Sequence, residues 1–148
     1  MGIHIRKATA RDMEAVHALV RELAEFEREP AAVITTPEIY RRDFEAGVFD
    51  VLVAEDGAGE VVGMVLYFTA YSTWKGKMVY LDDFVVKQAL RGRGIGRMLF
   101  EALLEETEKK GVALLKWQVL DWNEPAQEFY KKYGAEIEKN WWNGKIVF

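Results

Sequence analysis

The spacing of apolar positions changes along the chain, and each change marks an element. Ile3 and Ile5 alternate with His4 and Arg6 as in a strand, whereas Met13, Val16, Leu19, Val20, Leu23 and Phe26 recur at helical spacing behind Thr9, a helix-capping residue. Thr36-Pro37 pairs a cap with a proline in the first turn and predicts a helix through Tyr40 and Phe44 that stops at Gly47. Segments 50–55 and 60–70 are rich in Val and aromatics and are joined by Asp56-Gly57-Ala58-Gly59, a hairpin signal; a third strand, 77–86, follows a turn around Trp74-Lys75-Gly76. Residues 94–110 are amphipathic, with Met98, Leu99, Ala102 and Leu103 on one side and Gly111 as the stop. Residues 112–120 form a near-continuous apolar strand, as expected when both sheet faces are covered. Asn123-Glu124-Pro125 opens a helix that runs to Gly134, and 135–148 predicts two final strands around Asn143-Gly144. The predicted order is β-α-α-β-β-β-α-β-α-β-β. With no repeat or linker, it forms a single α/β (α+β) domain over 1–148.

Composition narrows the class. A chain of 148 residues that is 50% hydrophobic, with five Trp, six Tyr and eight Phe, has ample material for one core and is not disordered. The absence of cysteine removes disulfides, thiolate metal sites and a cysteine nucleophile together. His4 and His17 lie far apart without a metal-ligand spacing, so no metal is expected. The N-terminus runs into charge without an apolar leader, and no run of about 18 apolar residues occurs, so a soluble, cytoplasmic protein without membrane attachment is the expectation. A net charge of −4 argues against nucleic acid and tolerates a cationic ligand.

Candidate chemistry begins at Arg91-Gly92-Arg93-Gly94-Ile95-Gly96, between a predicted strand and a predicted helix. A helix N-terminus offers unpaired N–H groups and a partial positive charge, and small residues let an anion approach that backbone. The glycine spacing is neither the dinucleotide fingerprint nor a P-loop, and Arg91 and Arg93 add charge suited to a pyrophosphate. A plain tight connection is the alternative.

Leu90 through Gly96 resembles the Arg/Gln-x-x-Gly-x-Gly/Ala motif of the GNAT superfamily of N-acetyltransferases, with Arg91, Gly94 and Gly96 at its fixed positions. Tyr80-Leu81-Asp82-Asp83-Phe84-Val85-Val86 and the stretch from Trp122-Asn123-Glu124-Pro125 to Tyr133-Gly134 are similar to the diamine (spermidine/spermine) and thialysine acetyltransferase branch. So are 21–27 and 74–77. The resemblance implies the GNAT fold, a mixed, mostly antiparallel central sheet of about seven strands flanked by four helices.

It also implies acetyl-CoA as co-substrate and a homodimer, which Trp141-Trp142 and the apolar Ile146-Val147-Phe148 also suggest. Phe84, Val85 and Val86 would lie along the pantetheine arm, and Gly92, Arg93, Gly94, Ile95, Gly96 and Arg97 would hold the pyrophosphate with Arg91. Asn123, Glu124, Pro125 and Ala126 would touch the coenzyme from the other side, and Tyr130 would be the general acid. A phenol of pKa about 10 suits that role, because the departing thiolate is of similar basicity. The competing reading makes Phe129, Tyr130 and Tyr133 an aromatic core stripe.

Asp82 and Asp83 interrupt an apolar strand, and alternation sends them to opposite faces, so at least one meets a partner or an opening. In the resembling branch a Glu at the position of Asp82 contacts the polyamine; here the side chain is one methylene shorter. A primary ammonium must lose a proton before it attacks, and Asp82 and Glu27 are the candidate bases. Phe26, Glu27, Trp74 and Asp82 are the candidate substrate contacts, Trp74 through cation–π attraction to an alkylammonium chain. The expected reaction is direct acetyl transfer to a primary amine of a polyamine, diamine or thialysine-like molecule. Acceptors on a peptide or amino acid, and a non-catalytic acyl-CoA sensor, are the alternatives.

Overall fold

The computed structural model describes residues 2–148, which divide into two compact units, the first ending at Gln118 and the second spanning Val119–Phe148. In the first, β1 (His4–Lys7) leads into α1 (Met13–Phe26) and α2 (Pro37–Glu45). Then come β2 (Asp50–Glu55), β3 (Val61–Ser72), β4 (Gly76–Val86), α3 (Ile95–Lys109) and β5 (Leu114–Trp117). The strands form one sheet in chain order, antiparallel from β1 to β4 and parallel between β4 and β5.

The helices begin where capping chemistry places them. Thr36 Oγ1 accepts the Ile39 N–H at 3.2 Å ahead of Pro37, and α2 ends just before Gly47, whose φ of 76° only glycine adopts freely. Ahead of α1, the Asp12 carboxylate accepts the Thr9 N–H at 2.7 Å and two guanidinium bonds from Arg6 at 2.8 and 2.9 Å. Arg6 also reaches Glu55 on β2, so this one cation fastens the entry of α1 to the sheet edge.

The two faces of the sheet are covered by different helices. Met13, Val16 and Leu19 of α1 pack with Val51, Val53, Met64, Leu66 and Val85. Each of these fully buried side chains contributes about 1.5–3 kcal/mol. On the opposite face α3 comes so close that a Cβ on Gly63 would stand 3.1 Å from Leu99 Cδ1, and Phe84 stacks on Phe100 at 5.9 Å between centroids. Strand β3 is buried along seven successive residues, Val61 to Tyr67, as a strand covered on both faces must be.

The ladder between β4 and β5 runs only from Met78–Leu114 to Leu81–Trp117. Residues 82–86 of β4 therefore extend past the end of the β4–β5 ladder.

In the second unit, α4 (Glu124–Lys131) is capped by Asn123, whose Oδ1 accepts the Ala126 N–H at 3.3 Å, with Pro125 in the first turn. Gln127 ties the helix back to its lead-in by donating to the carbonyls of Leu120 and Asp121 at 3.0 and 3.2 Å.

The sheet has five strands and not about seven, because 135–148 is not strand. Alternation and β-branched content report a tendency to be half-buried, whereas a strand exists only where a neighbour completes its ladder. Among the described residues this segment joins no strand ladder. Trp141, Trp142, Ile146, Val147 and Phe148 are exposed. For the same reason β5 shrinks to four residues from the nine of 112–120.

Candidate active site

The register of β4 against β3 is broken at one point: Leu66 faces Asp83 and Tyr67 faces Leu81, leaving Asp82 as an extra residue without an opposite number. This β-bulge resets the alternation. Asp83 shares the face of Leu66 and Val85, which α1 and α2 cover, and Phe84 passes to the α3 side, where it meets Phe100. The simple alternation expected through Asp82 and Asp83 is thus interrupted at Asp82. Period-two alternation holds only along an unbroken ladder.

The bulge brings both aspartates to the end of α1, where Glu27 completes a trio of carboxylates. Burial, and then the charges of Asp82 and Glu27, push the Asp83 carboxyl up to about 7. Burial followed by the charge of Asp82 raises Glu27, and burial alone raises Asp82. Three carboxyls that each disfavour ionisation of a neighbour form a site that a cation would relieve. Among the described residues they do not converge as ligands of a metal ion.

Tyr40 of α2 lies near the two aspartates of this trio. Burial and then the charge of Asp83 push its phenol up to about 12. Its ring is held edge-on by His17 at 4.9 Å, and His17 Nε2 donates to the Thr35 carbonyl at 2.9 Å. The sequence marks Asp83 beside Asp82 without giving it a site role, and does not mark Tyr40. Tyr40 is an ordinary apolar position of an amphipathic helix, and Asp83 is recruited by a bulge that no local residue pattern announces.

The glycine turn follows the end of β4. Gly92 and Gly94 adopt φ of 80° and 83°, and no side chain caps α3, so the N–H groups of its first turn are available to an anion. A Cβ on Gly96 would come within 3.5 Å of the Phe84 ring, so glycine there lets the helix sit against β4. Arg91 and Arg93 are exposed and have no carboxylate partner among the described residues, whereas Arg97 is drawn towards Glu101 at 3.6 Å. The shape and charge of this turn fit a pyrophosphate.

The first unit thus brings together Phe26, Glu27, Asp82, Phe84 to Val86 and Arg91 to Arg97. Trp74 is not among them: it is 85% exposed at the β3–β4 hairpin tip, about 20 Å along β4 from Asp82 at the usual rise per residue. In the second unit Tyr130 of α4 is buried, and Phe129 of α4 and Tyr133 just past its end are half-buried. The Phe129 ring packs on those of Tyr130 and Tyr133, each at 5.5 Å.

Comparison with known proteins gives this arrangement a context. Residues 13–135 match the model of the Acetyltransferase (GNAT) family. The chain is 40% identical over 143 residues to a thialysine N-epsilon-acetyltransferase of Bos taurus, covering 90% of this chain and 84% of that protein. It is 31% identical to the human spermidine/spermine N(1)-acetyltransferase-like protein 1 over 93% of this chain, which is 21% of that longer protein. Among solved structures, an aminoglycoside acetyltransferase from an uncultured soil metagenomic sample superposes with a TM-score of 0.80 over 99% of this chain and all of that one. At 22% identity this last likeness bears on the fold alone.

Proposed function

The chain belongs to the Acetyltransferase (GNAT) family and is an acetyl-CoA-dependent N-acetyltransferase, and we propose that its acceptor is a primary amine on a small cationic molecule: a polyamine, a diamine or a thialysine-like amino acid. The observation that carries this reading is the trio Glu27, Asp82 and Asp83, set beside the bulge of the strand that leads to the glycine turn. A cationic acceptor supplies the charge that the trio lacks. The relatives named for the thialysine ε-amine and for spermidine and spermine support the same class.

Acetyl-CoA supplies an activated acyl group and a thiol that leaves. Backbone N–H groups of residues 92–97 hold its pyrophosphate, with Arg91 and Arg93 adding charge. The stretch of β4 past the end of the β5 ladder, at Phe84, Val85 and Val86, takes the pantetheine arm alongside it, and one N–H there polarises the thioester carbonyl. The resemblance of 122–134 to the diamine and thialysine acetyltransferase branch is what supports a coenzyme role for Asn123, Glu124, Pro125 and Ala126.

Asp82 and Glu27 bind the ammonium, with Phe26 beside them. Asp83 joins the two as a base, being closer in pKa to an alkylammonium than an ordinary carboxylate is. Trp74 contacts only an acceptor long enough to reach the hairpin tip. Tyr130 donates the proton that the departing thiolate takes up.

Thiol release measured over a panel of polyamines, diamines, thialysine, amino acids and peptides tests the acceptor. Turnover confined to peptides would overturn it. Replacing Tyr130 with Phe should lower kcat by about 10²-fold or more while the Kd for coenzyme A stays within twofold. Unchanged kcat would remove Tyr130 from the chemistry.

A further inference from the structure

Helix α1 touches the coenzyme turn as well as the acidic trio. Glu22 and Phe26 stand four residues apart and so share one face of α1, beside the stripe that enters the core. Glu22 Oε1 accepts the N–H of Gln88 at 3.0 Å. Gln88 opens the short 3-10 turn Gln88–Leu90, which delivers the chain to Arg91. Four residues further along α1, the Phe26 ring lies under the Arg91 guanidinium, 5.0 Å from Cζ to the centroid. The Nε of Arg91 donates to the Val86 carbonyl at 3.3 Å. The guanidinium is thus fixed on one side by a carbonyl at the end of β4 and over one face by an aromatic ring, with its two terminal nitrogens left for a ligand.

We propose that Glu22 and Phe26 are positioning residues for the coenzyme: they hold the entry of the glycine turn and the Arg91 guanidinium in the conformation that receives the pyrophosphate. The reading rests on the proposed function of that turn. Phe26, which the sequence places among amine contacts, acquires a second role on the donor side. An exposed arginine on a turn samples many rotamers, and binding an anion must otherwise pay for fixing one of them. A ring face and a carbonyl that already fix it remove that cost, and cation–π contacts of this kind are strong enough to matter. Glu22 acts on the backbone in the same sense, because its bond to the Gln88 N–H sets where the turn begins.

The test exploits the two halves of the donor. S-acetylpantetheine carries the thioester and the pantetheine arm but no pyrophosphate, so it reports everything except the turn. For Phe26→Leu and Glu22→Ala, the ratio of kcat/KM for acetyl-CoA to that for S-acetylpantetheine should fall by about five- to tenfold, with a matching rise in the Kd for coenzyme A. Phe26→Tyr and Glu22→Gln, which keep the ring and the acceptor oxygen, should restore the wild-type ratio. An unchanged ratio in both Phe26→Leu and Glu22→Ala overturns the proposal, since a merely structural role would slow both donors alike. Should one of these variants fail to fold, the other carries the same ratio. Failure of the wild-type protein to prefer acetyl-CoA over S-acetylpantetheine would instead overturn the assignment of the turn itself.

Discussion

At the scale of single residues, Asp83 carries the sharpest consequence. Its carboxyl sits at about 7 in the fold, against a little under 4 in an unfolded chain. The folded state therefore binds more protons between those values, and this residue's contribution to stability is greatest below the lower one and is lost as pH rises through the upper one. Asp83→Asn should stabilise the free protein at pH 8, by on the order of 2 kcal/mol, with the gain vanishing near pH 4; denaturant melts at both pH values measure it. The same titration should appear in kinetics. For the wild type, kcat/KM for the amine should rise with pH along a limb of apparent pKa near 7, and Asp83→Asn should lose that limb. A limb that survives would leave Asp82 or Glu27 as the base.

At the scale of elements, the order through α4 was legible in the sequence because caps, glycine stops and hydrophobic periods agreed with one another. Thr36-Pro37, Asn123-Glu124-Pro125 and Gly111 each stand where the helices begin or end. What was not legible depended on long-range pairing. The bulge at Asp82 is a property of β4 against β3, and 135–148 joins no ladder of the sheet despite its propensity. The candidate site divides in the same way: its pyrophosphate-binding part lies in one contiguous turn, whereas the acceptor half is assembled from the end of α1, α2 and β4.

The turn also yields a test free of packing effects. A Cβ on Gly94 would meet nothing within 4 Å, so the requirement for glycine there is set only by its φ of 83°. Gly94→Ala should destabilise by about 1 kcal/mol, and Gly94→Asn by less, since Asn tolerates the left-handed region. Equal losses in thermal denaturation would place the requirement elsewhere.

At the scale of the whole molecule, charge and exposed apolar surface each point outward. Trp141, Trp142, Ile146, Val147 and Phe148 form an exposed apolar segment of the second unit, and we propose a homodimer. Sedimentation at low micromolar concentration should show twice the monomer mass, and a clean monomer would end that proposal. The net charge of −4 acts over a longer range than any one contact. Around the trio the field of Glu27, Asp82 and Asp83 adds to this acidic background, and Asp82 is exposed enough for salt to reach it. The screening length falls from about 30 Å at 0.01 M salt to about 3 Å at 1 M. An acceptor with two positive charges feels both the local trio and the background, whereas one with a single charge feels roughly half as much. Over that range of salt, kcat/KM for a diamine should therefore fall by roughly three- to tenfold, and distinctly more steeply than for a monoamine of equal length. Identical salt slopes for the two would mean that the second charge of the acceptor never meets the acidic face, and would move the preferred acceptor towards monocations.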